Sequence, residues 1–295
     1  MTHSSARDRL RAFRELHEGP QILVLPGVWD VVSARVFAAA GFPALGTTSA
    51  GVAWSLGRAA GEDAPWPLFL DVCRRIAAAV RVPVSFDLES GFGTRPEIVR
   101  ERVQEAIEAG ACGVNLEDGF TDGSFADAGV LEEKIAAVRE LCTALEIPPF
   151  VNARTDVYLG GVGDETKRLD ETLRRALRYA QAGADGIFVP GLAGEEAIRI
   201  LAREIPRPLN IYAGAGVPSA ARLAELGARR VSMGCGPLQA LLARACTIAE
   251  STRRDGQWTS FTEGALEYAQ AVALGGACAS VRPAGGARST PGWSR

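Results

Sequence analysis

Short apolar runs alternate along the chain with longer segments rich in alanine, arginine and glutamate. The longer segments have helical spacing, as in PEIVRERVQEAIEAGA and DETLRRALRYAQAGA. Eight apolar runs have the length of buried strands: ILVLPG (22–27), ALGTTS (44–49), PVSFDLE (83–89), GVNLED (113–118), FVNART (150–155), GIFVPG (186–191), PLNIYA (208–213) and RVSMG (230–234). Strands that alternate with helices predict βαβ units and a parallel sheet.

Eight such units in about 250 residues predict an α/β fold of the (β/α)8 TIM type. The main competitor is a doubly wound open sheet, which normally carries a glycine-rich nucleotide loop after its first strand. Here the first turn is LPGVWDVVSA, without GxGxxG. We therefore predict a barrel catalytic domain over 1–250, a C-terminal helical extension over 251–275 and a flexible tail over 276–295.

Composition narrows the class of protein. The 295 residues are 47% hydrophobic and 23% charged, which is typical of a soluble protein with a large core. A net charge of −3 without a basic stripe argues against nucleic acid. Neither a signal-peptide region nor a membrane-spanning run is present. Six scattered cysteines without a CxxC pair indicate reduced thiols, so we expect a cytoplasmic protein.

Candidate chemistry collects where the predicted strands end, which is where barrels place their active sites. Asp87 and Glu89 are two residues apart and share one strand face, and Glu117 ends the next strand. Clustered carboxylates are costly unless they are neutralised. All-oxygen sites suit Mg²⁺, with Mn²⁺ as the alternative. The competing interpretation is a strand end that reaches solvent or forms a salt bridge with an arginine.

The neighbouring strands add groups suited to an anion. Arg154 could hold a substrate carboxylate with two parallel hydrogen bonds, or it could only compensate Asp156 and the acidic cluster. Thr48 and Ser49 could donate to an anion or simply end a polar strand. Asn210 could contact ligand or make a structural hydrogen bond. Together these groups predict a pocket for a small, multiply anionic substrate.

Six motifs are similar, in order, to those of the isocitrate lyase/phosphoenolpyruvate mutase superfamily. They are LPGVWDVVSARVFAAAGFPAL, TTSAGVAWSLG, SFDLESGFG, GVNLEDG, VNARTD and PLNIYA, and the likeness covers residues 20–235. The resemblance implies a (β/α)8 barrel whose C-terminal helix is often swapped between subunits, giving a homodimer or homotetramer. It also implies Mg²⁺ and cleavage of C–C or P–C bonds beside an α-keto acid or its enolate.

The resemblance also implies roles for individual residues. Asp87 matches the direct metal ligand, and Glu89 and Glu117 match acidic partners that act through metal-bound water. Thr48 and Ser49 match the segment that holds the carboxylate or keto oxygens of the substrate. Arg154 matches the substrate-contacting arginine of the ART strand. Arg154 and Glu117 are therefore the candidate catalytic residues, with Asn210 as a further candidate for substrate binding.

Three departures bear on the type of reaction. Lyases of the superfamily carry a K-[KR]-C-[GS]-H loop after the fourth strand, whereas EDGFTDGSFADAGVLEEK has no Cys or His. Its first lysine is Lys134, so the early lysine of the phosphonate mutases is also missing. Ala60 stands where many members have aspartate, and only a shift of the loop would let Glu62 or Asp63 replace it. Gly46 stands where some members have an aromatic residue.

These features lead to three hypotheses. The first is an Mg²⁺-dependent enzyme that cleaves a C–C bond of a small α-keto or 2-hydroxy dicarboxylate through an enolate, as an oxaloacetate-like decarboxylase or a retro-aldol lyase. The second is P–C bond chemistry of the phosphonomutase or phosphonopyruvate hydrolase type. The third is a non-catalytic keto-acid-binding protein. Residues 118–131 have the small, polar composition of a mobile lid.

Overall fold

The computed structural model describes residues 5–119, 126–143, 145–161 and 164–276. Its strands are β1 (Leu23–Leu25), β2 (Gly27–Val28), β3 (Leu45–Thr47), β4 (Val84–Asp87), β5 (Gly113–Glu117), β6 (Phe150–Arg154), β7 (Gly186–Val189), β8 (Leu209–Tyr212) and β9 (Arg230–Ser232). Its α-helices are α1 (Ala6–Glu18), α2 (Val31–Ala39), α3 (Ser49–Ser55), α4 (Trp66–Ala79), α5 (Pro96–Glu108), α6 (Ala128–Cys142), α7 (Glu165–Ala182), α8 (Glu195–Glu204), α9 (Ala220–Glu225), α10 (Gly236–Asp255), α11 (Thr259–Thr262) and α12 (Tyr268–Gly275).

The strands form one parallel sheet in the order β1-β9-β8-β7-β6-β5-β4-β3-β2. Only Pro26 separates β1 from β2, so the first strand joins both ends of the sheet and closes a barrel of eight strand positions. Proline has no N–H to donate to a ladder, which explains the division of this strand. The (β/α)8 prediction is confirmed, and each of the eight apolar runs contains its predicted strand.

Helix α1 closes the barrel at the end where the strands begin. Phe13 and His17 pack there with Phe150, at the start of β6. The His17 ring stacks on the Phe150 ring with centroids 3.8 Å apart. Burial lowers the pKa of His17 to about 3, so this histidine is a neutral packing group at ordinary pH. Burying the Phe13 ring contributes about 2 kcal/mol of hydrophobic stabilisation.

The C-terminal helices extend from the barrel. None of the residues of α10 is buried, and Leu241 and Leu242 on it are exposed. Helix α12 returns to α2, where Leu274 is buried and its carbonyl accepts a hydrogen bond from Arg35 at 3.1 Å. The predicted boundary at residue 250 falls inside α10, and the division into domains stays a prediction. Apart from Gly276, the predicted tail lies outside the described residues.

Two further sequence expectations concern the environment of the chain. The five cysteines within the described residues are all free (Cys73, Cys112, Cys142, Cys235 and Cys246). Among the described helices, none is both long and apolar enough to cross a bilayer.

Candidate active site

A cavity of about 330 Å³ lies at the rim of the barrel where the strands end. Six of the seven predicted site residues line it: Thr48, Ser49, Asp87, Glu89, Glu117 and Arg154. The wall also carries apolar side chains, among them Leu25, Leu159 and Phe188. The parallel strands therefore bring the predicted charged groups together against a partly apolar surface.

Asp87 ends β4 and is held from three sides. Its Oδ1 accepts a hydrogen bond from Asn115 Nδ2 at 3.1 Å, and its Oδ2 accepts one from Ser49 Oγ at 2.9 Å. Its backbone N–H donates to Thr47 Oγ1 at 3.0 Å. Each partner lies on a neighbouring strand or at its end, so the closed sheet fixes the orientation of this carboxylate.

Glu89 follows in an unusual backbone conformation, with φ of 49°. Its Oε2 accepts a hydrogen bond from the backbone N–H of Glu62 at 2.9 Å. The turn at Gly61 comes so close that a Cβ there would lie 2.2 Å from Glu89 Oε1. Burial, and secondly the charge of Asp87, raise the pKa of Glu89 to about 7.

Glu62 and Asp63, which could have replaced the aspartate missing at Ala60, make hydrogen bonds within the neighbouring loops instead. The Glu62 carboxylate accepts hydrogen bonds from Ser90 Oγ at 2.7 Å and from the Phe92 backbone N–H at 2.9 Å. Asp63 accepts one from the backbone N–H of Ala60 at 3.2 Å. Neither carboxylate lines the cavity. Glu62 therefore stabilises the loop that carries Glu89.

Arg154 ends β6 between two carboxylates. Its Nη1 lies 2.7 Å from Glu117 Oε2, and its Nε and Nη2 donate to the two oxygens of Asp156 at 2.5 and 2.7 Å. These anions outweigh the effect of burial and raise the pKa of Arg154, so the guanidinium stays charged. Burial raises the pKa of Glu117 despite that guanidinium. The compensating role allowed by the sequence is present, and contact with substrate stays a prediction.

The site fits a divalent cation by its donors and by its charge. Four carboxylates (Asp87, Glu89, Glu117 and Asp156) meet two guanidinium groups, those of Arg154 and Arg230, which leaves two negative charges in excess when all are ionised. Burial is the main cause of the raised pKa values of Glu89 and Glu117, and the neighbouring carboxylates add to it. Within the described residues, no three Asp, Glu, His or Cys side chains form a ready-made ligand cluster. Direct binding by Asp87, with Glu89 and Glu117 acting through water, stays a prediction.

Asn210 is the predicted site residue that does not line the cavity. It is buried on β8, and its Nδ2 donates to Ser232 Oγ at 3.0 Å. Tyr212, two residues further on the same face, reaches the cavity instead. The structure shows the structural hydrogen bond that the sequence allowed, and the role of Asn210 in substrate binding stays a prediction.

Sequence reasoning missed Arg230, which lies 1% exposed inside the barrel and lines the cavity floor. Its Nη2 donates to Asn115 Oδ1 at 3.3 Å, and its Nε donates to Ser232 Oγ at 3.1 Å. Asn115 in turn donates to Asp87. The only signal in the sequence was the period of two that places Arg230 and Ser232 on one strand face.

Asp118 is a buried carboxylate that holds the backbone of Asp156, next to the site. Its Oδ2 accepts hydrogen bonds from Tyr179 at 2.7 Å and from Arg175 at 3.0 Å, and its Oδ1 accepts one from the Asp156 backbone N–H at 3.0 Å. The predicted lid, 118–131, begins here. Residues 120–125 lie outside the described part of the chain, and α6 already begins at Ala128, so closure of a lid stays a prediction.

Glu89 makes the stability of the metal-free protein depend on pH. A carboxyl whose pKa rises from 4.5 to about 7 on folding binds more protons in the folded state than in the unfolded state between these values. Stability is therefore lost as pH rises from about 4.5 to 7, by up to about 3 kcal/mol from this group. In urea unfolding of the chelator-treated protein, Glu89→Gln should flatten this part of the profile.

Glu97→Gln, on the first turn of α5, is the matched control and should leave the profile unchanged. Equal slopes for the wild-type protein and Glu89→Gln would show that Glu89 ionises normally in the folded state.

The structure is a closed parallel barrel with carboxylates and an arginine around a cavity at its strand ends, which is where barrel enzymes place their active sites. The family model for phosphoenolpyruvate phosphomutase matches residues 13–253. The chain belongs to this family, within the isocitrate lyase/phosphoenolpyruvate mutase superfamily identified from its motifs, whose members are lyases, mutases or hydrolases that act on C–C or P–C bonds.

Two similar proteins and one similar solved structure place the chain among both characterised and uncharacterised proteins. It is 36% identical over 247 residues to an uncharacterised protein of Mycobacterium tuberculosis, covering 83% of this chain and 90% of that protein. It is 31% identical over 272 residues to the oxaloacetate decarboxylase of Pseudomonas fluorescens, covering 89% of each. A Burkholderia cenocepacia crystal structure, proposed to be a lyase/mutase, superposes with a TM-score of 0.85 at 37% identity, covering 92% of this chain and 96% of that one.

Proposed function

We propose that the protein is a cytosolic, Mg²⁺-dependent lyase that cleaves a C–C bond of a small α-keto or 2-hydroxy dicarboxylate through an enolate. Oxaloacetate-like decarboxylation is the most concrete form, and retro-aldol cleavage is the other. The observation that carries the proposal is the meeting of Asp87, Glu89, Glu117 and Arg154 at one cavity. Mn²⁺ suits the same oxygen ligands.

Each group has a definite task in this reaction. A bound divalent cation would supply positive charge where the enolate oxygen develops. Asp87 is already oriented for this by Ser49 and Asn115. Arg154 is held rigidly by Glu117 and Asp156, which presents a fixed positive charge to a substrate carboxylate. Thr48 caps α3, whose first-turn N–H groups at Ser49 and Ala50 have no helical acceptor and lie beside the cavity.

One similarity and one feature of the sequence favour decarboxylation over the other reactions of the superfamily. The similarity to an oxaloacetate decarboxylase extends over 89% of this chain. The absence of Cys and Lys between residues 118 and 131 disfavours both the lyase chemistry that needs a loop cysteine and the mutase chemistry that needs a loop lysine. Decarboxylation requires less of the loop than retro-aldol cleavage does, because no base has to remove a hydroxyl proton as CO₂ leaves.

The proposal also covers the assembly. We infer a homodimer or homotetramer formed through the C-terminal helices. The support is α10, a helix of 20 residues with no buried residue and with exposed leucines. A helix of this length gains little stability unless an apolar face is covered.

A substrate panel tests the function. The chelator-treated protein is supplied with Mg²⁺ and then with oxaloacetate, 3-methyloxaloacetate, 2-hydroxy dicarboxylates or phosphonopyruvate, and products are followed by proton and phosphorus NMR. Mg²⁺ alone decarboxylates oxaloacetate slowly, so Asp87→Asn at the same Mg²⁺ concentration is the matched blank. We expect metal-dependent C–C cleavage of at least one dicarboxylate above that blank.

The other outcomes separate the alternatives. Turnover confined to phosphonopyruvate would show P–C chemistry. Saturable keto-acid binding without turnover of any compound would show a binding protein and would contradict the proposal.

A further inference from the structure

Tyr212 occupies the wall of the cavity that faces the acidic cluster. It ends β8 and lines the same cavity as Asp87 and Arg154. In the ring of eight strand positions, β8 stands four places from β4, which carries Asp87. Asp87 and Tyr212 therefore lie on opposite sides of the ring of strands, with the cavity between them.

The chain makes specific room for this ring. Gly234 lies against it, and a Cβ at that position would be 2.3 Å from Tyr212 Cε2. The same residue has a φ of 49°, a conformation in which glycine carries little strain. The close approach after β9 therefore fixes where the phenol lies.

The hydroxyl of Tyr212 has a thiol as its hydrogen-bonding neighbour. Its oxygen lies 3.8 Å from Cys235 Sγ, and either atom could be the donor. Sulfur is a weak hydrogen-bond acceptor. Among the described residues, the phenol hydrogen thus has no strong acceptor and can turn towards a ligand.

The other hydroxyl groups at the cavity are less suited to give up a proton. Ser49 donates to Asp87, and Ser232 donates to Asn210 Oδ1 at 3.2 Å. The Ser85 hydroxyl has no partner among the described residues, but an alcohol is a much weaker acid than a phenol. The segment 118–131 contains no Cys, His or Lys in the sequence.

We propose that Tyr212 is the catalytic acid that protonates the enolate carbon, with Cys235 and Gly234 as the residues that position it. The inference rests on the proposed function. When the C–C bond breaks, its electron pair enters the enolate. The enolate carbon then takes the proton from Tyr212 Oη, a C–H bond forms, and the resulting tyrosinate regains a proton from water.

The electrostatic setting agrees with this role. Burial, and then the neighbouring Cys235, raise the pKa of Tyr212 to about 12, so the phenol is protonated at neutral pH and ready to donate. The charge of Arg154 acts in the opposite direction, which stabilises the tyrosinate that remains after transfer. An enolate is a strong base, so a weak acid placed against its carbon is sufficient.

The test separates C–H bond formation from C–C bond cleavage. Pyruvate with Mg²⁺ in D₂O reports the first through deuterium incorporation into its methyl group, followed by NMR. Release of CO₂ from oxaloacetate reports the second. We expect Tyr212→Phe, which removes only the hydroxyl, to slow exchange by about 10²- to 10⁴-fold and CO₂ release by a much smaller factor. Cys246→Ala, an exposed thiol on α10, is the control and should change neither rate.

The possible results are distinguishable. Exchange by Tyr212→Phe at the wild-type rate would overturn the assignment of Tyr212 while the lyase function stands. Loss of exchange in Cys235→Ala with exchange retained in Tyr212→Phe would also overturn it, because the thiol would then be the acid. Wild-type protein that neither exchanges pyruvate nor releases CO₂ above the Asp87→Asn blank would overturn this inference and the decarboxylase form of the proposed function, whereas inactivity on the whole substrate panel would overturn the proposed function itself.

Discussion

Asp87→Asn should abolish tight binding of a divalent cation and lower kcat/KM by about a thousand-fold or more. The replacement keeps the size of the side chain, so the effect follows from the loss of charge. The amide cannot accept hydrogen bonds from Ser49 and Asn115 at both of its ends, which disturbs its orientation as well. Titration calorimetry with Mg²⁺, or the electron paramagnetic resonance signal of free Mn²⁺, measures the first effect without any substrate.

Glu117→Gln and Asp71→Asn complete this experiment. Glu117 is expected to act through water, so its replacement should weaken metal binding by a smaller factor, about 10- to 100-fold. Asp71 is partly exposed on α4, away from the cavity, and forms ion pairs with the neighbouring Arg74 and Arg75, so its replacement should have no effect. Wild-type metal affinity in both Asp87→Asn and Glu117→Gln would remove the proposed site.

Arg154→Lys should lower kcat/KM by about 100-fold while the fold survives. Lysine keeps the positive charge but cannot reproduce the two parallel hydrogen bonds that the guanidinium makes with Asp156. Its single ammonium also cannot hold Asp156 and Glu117 and meet a substrate carboxylate at the same time. The loss should appear mainly in KM for the keto acid, since the arginine is expected to bind substrate.

Arg154→Ala should behave differently, because it leaves two buried carboxylates without their cation. Removal of one partner from a buried pair costs about 3–5 kcal/mol, so thermal unfolding should occur at a clearly lower temperature. Arg222→Lys, in an exposed cluster with Glu195 and Glu225, is the matched control and should change neither stability nor turnover. Wild-type kinetics in Arg154→Lys would mean that Arg154 serves only to balance charge.

Much of the barrel rim could be predicted from the sequence, because apolar runs mark the strands and segments with helical spacing mark the helices between them. Parallel strands bury both faces and end at a common edge, so the apolar runs marked the strands and their last residues marked the rim. Asp87 with Glu89, Glu117 and Arg154 were located in this way. The helix-start pattern WDVVSARVF also predicts that Asp30 caps α2, and its Oδ1 accepts a hydrogen bond from the Ser33 backbone N–H at 2.6 Å.

The remaining features depend on distances between strands, which a single strand does not encode. The closed sheet determines that Arg230 reaches Asn115 and that Asn210 meets Ser232. It also determines that the Glu62 side chain contacts the loop after β4 and does not face the cavity. Each of these contacts joins residues more than 20 positions apart, so local patterns could not show them.

The packing of α1 determines from which side of the barrel a ligand can reach the cavity. Phe13, His17 and Phe150 stop the barrel at the end where the strands begin, and the cavity opens at the other end. Within the described residues, a ligand therefore reaches the cavity from the side where the strands end. A ligand that fills the cavity would have to leave on that side before another could enter.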